Sequence, residues 1–370
     1  MKRLVWLSVI CLALTLGSAA WAGTVKLGVL FPMTGPAAVY GQNGLKGLKL
    51  AMQHRPQVLG QKVEIVVADN KSDKVESSNA ANRLIQRDKV VAVIGALTSS
   101  NSLAAAPVCE KAGVPMVSPW ATNPLVTQGK KYVFRVCFID PFQGQVAANF
   151  AVNNLRAKTA ALMVDISQDY CVGIAGFFQR AFQKLGGKVV LKTMYNTGDQ
   201  DFSAQLGAIK GKNPDLIYVP GYFTEDALIA RQARELGLTQ PLLSGDAAQA
   251  DELIKIGGKA VEGLYFTTHF DEKGVTTASG KRFVKAYRAA YNEAPDSVSA
   301  LSYDAYNVIL DAIEKAGTTQ AAKVVAQLEQ VKDFPGVTGV LSIVDHNAVK
   351  PAVILKVKDG KFVYVATVNP

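Results

Sequence analysis

The chain contains only three histidines, His54, His269 and His346, too far apart in sequence for metal-ligand spacing or for pairing with a nucleophile. Each reads as a surface or structural residue. No G-x-S-x-G elbow is present, and no G-x-G-x-x-G follows the first apolar strand, so serine hydrolysis and dinucleotide binding lack their signatures. Gly274 to Lys281 resembles a phosphate loop, but its spacing is one residue too long and Arg282 stands where a Ser or Thr must hold magnesium. Asp69-Asn70-Lys71-Ser72-Asp73 lacks the glycine and the distal glutamate of a calcium loop, and reads as a polar turn. Cysteine is scarce as well, and no Cys-x-x-Cys spacing suggests zinc or redox work. The net charge of +10 is spread over scattered lysines with no basic cluster interleaved with aromatics. It reads as a solvated surface, and no nucleic-acid partner is expected. Neither catalysis nor a cofactor is expected from this inventory.

What is present begins with a leader. Lys2 and Arg3 precede an apolar run from Leu4 to Leu16, and Ala20-Trp21-Ala22 closes it with a small-x-small site. Residues 1–22 are therefore expected to be a signal peptide cleaved after Ala22, with the mature protein periplasmic. Cys11 lies inside the apolar run behind Ile10, which argues against lipidation. No later stretch is long enough to span a membrane, so the mature chain is not expected to be membrane-embedded. It keeps Cys109, Cys137 and Cys171. An oxidising compartment permits one bridge among three thiols, and Cys109–Cys137 is the expected pair.

The body alternates short apolar strands with helices. Val25 to Phe31, Val63 to Ala68, Val90 to Ile94 and Pro115 to Ser118 read as strands, separated by helices at Gln42 to Gln53, Lys74 to Arg87 and Asn101 to Ala112. The rhythm resumes from Ala160 to Leu236, and helices follow at Thr277 to Asn292, Leu301 to Ala316 and Gln320 to Val331. Strands at Val353 to Val357 and Phe362 to Val365 end the chain. Such runs mean parallel sheets covered on both faces, an α/β doubly wound class. About 350 mature residues exceed one ordinary core, so two lobes are expected.

In open α/β sheets ligands bind beyond the C-terminal ends of the strands. Gly95 to Ser100 and Ser118 to Pro124 are hydroxyl-bearing turns at two such ends, and serines at a helix start make an anion site. A plain serine N-cap explains the first equally well. The second half offers Asp165 to Tyr170, Gly221-Tyr222 and Ser244-Gly245-Asp246. Anion-binding turns facing two tyrosines and a carboxylate complement an amino acid.

In order and spacing, Gly28-Val29-Leu30-Phe31-Pro32-Met33-Thr34-Gly35, the Gly95 to Ser102 turn, Ser118 to Pro124, Phe134-Arg135 and Tyr218 to Arg234 resemble the leucine/isoleucine/valine-binding proteins of branched-chain amino acid ABC importers. The likeness covers nearly all of Gly23 to Pro370. It implies a type I periplasmic binding fold, two doubly wound lobes joined by three hinge crossings near Ile139, Phe270 and Val344. Residues 23–139 plus 270–344 would form one lobe, and 140–269 plus 345–370 the other. It further implies a monomer that binds a small aliphatic α-amino acid and delivers it to the importer's permease subunits. Ser99 and Thr122 would bind the ligand carboxylate, with Ala121 between Trp120 and Thr122 in the same set. The Trp120 carbonyl would take the ammonium, Tyr170 and Tyr222 would close from the second lobe, and Tyr40 would line the side-chain pocket. Asp246 would pair with the ammonium where the best-known members carry glutamate. Trp120 replaces a small residue of those members, which disfavours leucine and favours a smaller ligand. The same fold also resembles carriers of aromatic acids, amides or urea-like solutes, and periplasmic ligand sensors.

Overall fold

The computed structural model describes residues 23–370; the expected leader at 1–22 lies outside the described residues. Strands β1 (Thr24–Phe31), β2 (Gln57–Val58), β3 (Gln61–Asp69), β4 (Ala92–Gly95), β5 (Met116–Ser118) and β6 (Val133–Arg135) form the first sheet, in the order β2-β3-β1-β4-β5-β6. Its pairings are parallel apart from β2 with β3. Helices α1 (Ala38–His54), α2 (Lys74–Gln86) and α3 (Ser99–Ala112) cover it. The central strand β1 is apolar almost throughout because helices bury both of its faces.

After β6 the chain enters α4 (Asp140–Asn153) and builds the second sheet. Strands β7 (Thr159–Asp165), β8 (Lys188–Tyr195), β9 (Leu216–Tyr218), β10 (Leu242–Ser244) and β11 (Tyr265–Thr268) alternate with α5 (Asp169–Lys184), α6 (Ser203–Lys212), α7 (Phe223–Glu235) and α8 (Asp251–Gly257). The chain then returns to the first lobe through α9 (Ala278–Tyr291), α10 (Ser297–Ala316) and α11 (Ala321–Leu328). Helix α10 lies so close to α1 that a Cβ at Gly47 would stand 1.9 Å from the Ser299 carbonyl oxygen. A small antiparallel sheet follows, made of β12 (Phe334–Gly336), β13 (Gly339–Val344) and β14 (Asn347–Val349). Finally β15 (Ala352–Lys358) and β16 (Lys361–Val368) add antiparallel strands beyond β11, giving β16-β15-β11-β10-β9-β7-β8.

Three connections therefore join the two sheets. The β13–β14 turn stays with the first lobe, since the Arg135 N–H donates to the His346 carbonyl at 3.0 Å and Phe134 stacks on the His346 ring at 4.2 Å. The last passage thus falls at Lys350–Pro351, beyond Val344.

The expected Cys109–Cys137 bridge is not formed. All three cysteines among the described residues are free and buried. Cys109 sits on α3 in the core between the first sheet and α2–α3, with Leu84 and Met116, whereas Cys137 belongs to the core on the sheet's other side, with Phe134 and Phe138. The sheet separates them. Burial pushes both thiols up to about 12, so they behave as small apolar side chains.

Candidate functional site

Two turns at the C-terminal edge of the first sheet supply one wall. Beyond β4, Leu97 and Thr98 lead into α3, whose first residue is Ser99. The Ser99 hydroxyl accepts the Asn123 N–H at 3.2 Å, which ties this turn to the next. Beyond β5, the Ser118 hydroxyl accepts the Ala121 N–H at 3.1 Å and bends the chain so that Trp120 and Thr122 face the cleft. Arg135 lies beneath, fully buried. Its guanidinium donates to the Ala121 and Asn123 carbonyls, the latter at 2.9 Å, and to the Thr127 hydroxyl at 3.1 Å. The Asn123 carbonyl also accepts the Val126 N–H at 3.1 Å and the Ala121 carbonyl the Cys137 thiol at 3.3 Å, so both carbonyls of this irregular turn are fully used.

The second lobe supplies the opposite wall from three strand ends. Tyr170 stands in the first turn of α5, Tyr222 caps α7, and Asp246 follows β10. Gly245 is required by a close approach, because a Cβ there would sit 2.0 Å from the Tyr170 hydroxyl oxygen. That hydroxyl donates to Asp246 Oδ1 at 2.8 Å, and the Gln143 amide on α4 donates to the same oxygen at 2.9 Å. His269 Nε2 is 3.2 Å from Asp246 Oδ2. Burial pushes the His269 imidazole down to about 4 although Asp246 pulls the other way, so the ring is neutral and donates through Nε2–H. Gln143 also donates to Thr267 Oγ1 at 2.9 Å. Three donors from three elements thus hold one carboxylate in place.

Between the walls lies a narrow cavity, partly open to solvent and lined by Leu97, Thr98, Ser99, Trp120, Thr122, Tyr170, Tyr222, Asp246 and Ala247. Of the residues expected from sequence, Ser99, Trp120, Thr122, Tyr170, Tyr222 and Asp246 line it together. Tyr40 and Ala121 do not. Tyr40 packs behind Trp120, ring centroids 4.6 Å apart, and Ala121 offers its carbonyl to Arg135. The Thr122 hydroxyl and the Trp120 indole N–H are buried without a partner among the described residues. Gln143 and His269 escaped the sequence reading: no motif marks Gln143, and a single histidine far along the chain carries no sign of its neighbour.

Contacts across the cleft tie the lobes together. The Tyr40 hydroxyl donates to the Ala247 carbonyl at 2.5 Å. The Asp169 N–H donates to Ser100 Oγ at 3.0 Å, and Lys74 reaches the Asp169 carboxylate at 3.0 Å. A wider space of about 530 Å³ opens at the mouth, sharing Thr98 and Tyr222 with the inner cavity. No group of three or more metal-ligating side chains occurs among the described residues.

Comparison with known proteins places these features. A periplasmic binding protein family model matches residues 24–361. A leucine-, isoleucine-, valine-, threonine- and alanine-binding protein of Pseudomonas aeruginosa is 32% identical over 336 residues, covering 89% of this chain and 88% of that one. A leucine-binding protein of Thermotoga maritima superposes with a TM-score of 0.92 at 48% identity, over 94% of this chain and 99% of its own. A branched-chain amino acid transporter substrate-binding protein of Streptococcus pneumoniae, solved with isoleucine, gives 0.88 at 36% identity, over 94% of this chain and all (100%) of its own.

Proposed function

The chain belongs to the periplasmic binding protein family, and from that premise we propose that it captures a small aliphatic α-amino acid between its lobes and hands it to the permease of an ABC importer. It is a branched-chain-type substrate-binding protein of the type I fold and does no chemistry on its ligand. The observation that carries the ligand proposal is the inner cavity. It joins unpaired hydroxyl and indole donors on one wall to a carboxylate held by three donors on the other.

In this reading Ser99 and Thr122 take the ligand carboxylate, Asp246 takes the ammonium, and Tyr170 and Tyr222 close over it. Asp246 is one methylene shorter than glutamate, so its ammonium contact is direct or passes through a water. The apolar tail points toward Trp120, which Tyr40 backs. The Trp120 indole fills part of the cleft beside that tail, which favours a smaller aliphatic side chain.

The lobes, residues 23–139 plus 270–350 and 140–269 plus 351–370 once the last boundary moves from Val344 to Lys350, close by rotation about their three connections. Closure is a population shift set by contacts made only in the closed form, and Tyr170, Tyr222 and Asp246 make them in this reading. The protein works in the periplasm after removal of residues 1–22.

Isothermal titration of refolded mature protein against alanine, valine, isoleucine, leucine and several non-amino-acid carboxylates, amides and urea tests the proposal. Heat from an aliphatic amino acid, strongest for the smallest, supports it. Silence toward every amino acid with heat from another solute would reject it.

A further inference from the structure

Asp140 stands where the chain leaves the first lobe and enters α4, and the reading above gives it no role. Its side chain is fully buried, and neither carboxyl oxygen has a hydrogen-bond partner among the described residues. An unpaired carboxyl in such a place disfavours its charged form. The Thr122 hydroxyl makes no hydrogen bond of good geometry either, yet it stands near enough to the Asp140 carboxyl to lower it, and the Asp140 N–H donates to the Thr122 carbonyl at 3.0 Å. On the other side α5 closes in: a Cβ at Gly173 would stand 3.3 Å from Asp140 Oδ2. The carboxyl is thus boxed between α5 and the turn that lines the ligand cavity.

We propose that Asp140 is a positioning residue for the ligand carboxylate, an uncharged acid whose O–H donates to Thr122 Oγ1 and leaves the Thr122 O–H free to donate to the ligand. This rests on the reading of Thr122 as a carboxylate donor. Charge balance supports it. The ligand ammonium answers Asp246, while the ligand carboxylate meets hydroxyl and N–H donors, so a charged Asp140 would be a further anion beside it, offset only in part by the Arg135 guanidinium.

The groups that face Asp140 leave it uncharged. Burial pushes its carboxyl up to about 8; the Thr122 hydroxyl acts against the rise, Asp246 adds to it, and the Arg135 guanidinium offsets part of it. Burial pushes Tyr170 and Cys171 on α5, Tyr218 on β9, Tyr222 before α7 and Cys137 on the first connection upward, so none of them carries charge near neutral pH. Arg135 gives its guanidinium to main-chain carbonyls and the Thr127 hydroxyl.

The experiment is titration calorimetry with L-alanine from pH 6 to 9 on wild type, Asp140→Asn and Lys350→Met. Lys350 is the control because burial lowers its ammonium to about 8, in the same range. Wild-type affinity should fall about tenfold between pH 7 and 9 as one proton is lost. Asp140→Asn, whose amide still donates, should match wild type at pH 6 and lack that fall, while Lys350→Met should keep it. Loss of the ligand's own ammonium proton is common to all three proteins and cancels in the ratios. If Asp140→Asn does not fold by circular dichroism, Asp140→Ser takes its place. A fall that persists in the folded variant, or wild-type binding that is flat or tightens with pH, overturns the proposal. No binding of any α-amino acid at pH 6 overturns the amino-acid reading itself, and this proposal with it.

Discussion

The two walls of the cleft are built in opposite ways. On the first lobe, Ser99, Trp120 and Thr122 are set by short-range turn chemistry: Ser118 bonds the chain three residues on, and Arg135 gathers carbonyls from nearby positions. The Thr122 hydroxyl and the Trp120 indole N–H are left unpaired among the described residues. On the second lobe, Asp246 is saturated by Gln143, Tyr170 and His269, two of them more than 70 positions away. One wall waits for its hydrogen bonds, and the other already has them. Free donors favour a carboxylate that supplies the missing acceptors, while a carboxylate fixed in advance costs little to organise when a cation arrives.

Four substitutions would break or sharpen that contrast. The largest effect is expected from Asp246→Ala, which leaves a ligand ammonium buried without its partner; affinity for alanine should drop by about 2–5 kcal/mol in calorimetry. An unchanged affinity would remove Asp246 as the ammonium partner. Thr122→Ala deletes one donor to a charged group from the waiting wall, and should cost about 1.5–3 kcal/mol with the circular dichroism spectrum unchanged. Trp120→Ala should shift the leucine-to-alanine preference toward leucine by at least about 1–3 kcal/mol, the usual worth of a single methylene in an apolar pocket. A preference that stays put would show that the indole does not bound the pocket.

The smallest effect belongs to the rim. Lys74 and Asp169 are both about half exposed, so Lys74→Ala should weaken the closed form by at most about 1 kcal/mol, and less in high salt. Asp169 carries a pH signature of its own. Burial would raise its carboxyl, but hydrogen bonds from Lys74 and Ser100 outweigh this and hold it below the usual carboxylate range. A lowered value in the closed form means a contribution that is present above the open-state value and lost as pH falls through the closed-state value. Small-angle scattering of the alanine-saturated protein should therefore show the closed form weakening in acid, and an acid effect that persists in Asp169→Asn would contradict the assignment.

The same contrast explains what the sequence made legible. Continuous apolar strands such as Val25–Phe31 and turns rich in Ser, Thr and Asn announce themselves locally, so most of the α/β alternation and six of the cavity's side chains could be read directly. Helix α4 could not. Its residues are buried around much of the circumference and Gly144 interrupts it, so no amphipathic stripe separates it from a loop. Helix α10 begins at Ser297, four residues before its apolar run, because Asp296 and Ser299 form a capping box. The strands β12 and β14 are too short to show a period. The support beneath Asp246 was invisible for another reason: Gln143 and His269 meet it only through tertiary folding.

Arg135 has one more consequence, for how such a protein changes its diet. Because its guanidinium grips main-chain carbonyls on either side of Thr122, it specifies the path of the turn without depending on which side chains the turn displays. Position 120 is then a socket into which a larger or smaller residue can be fitted while the loop keeps its course. If Trp120 bounds the ligand's side chain as proposed above, repertoire can drift by single exchanges there, and a designer building a sensor for another solute would vary residue 120 and leave residue 135 untouched.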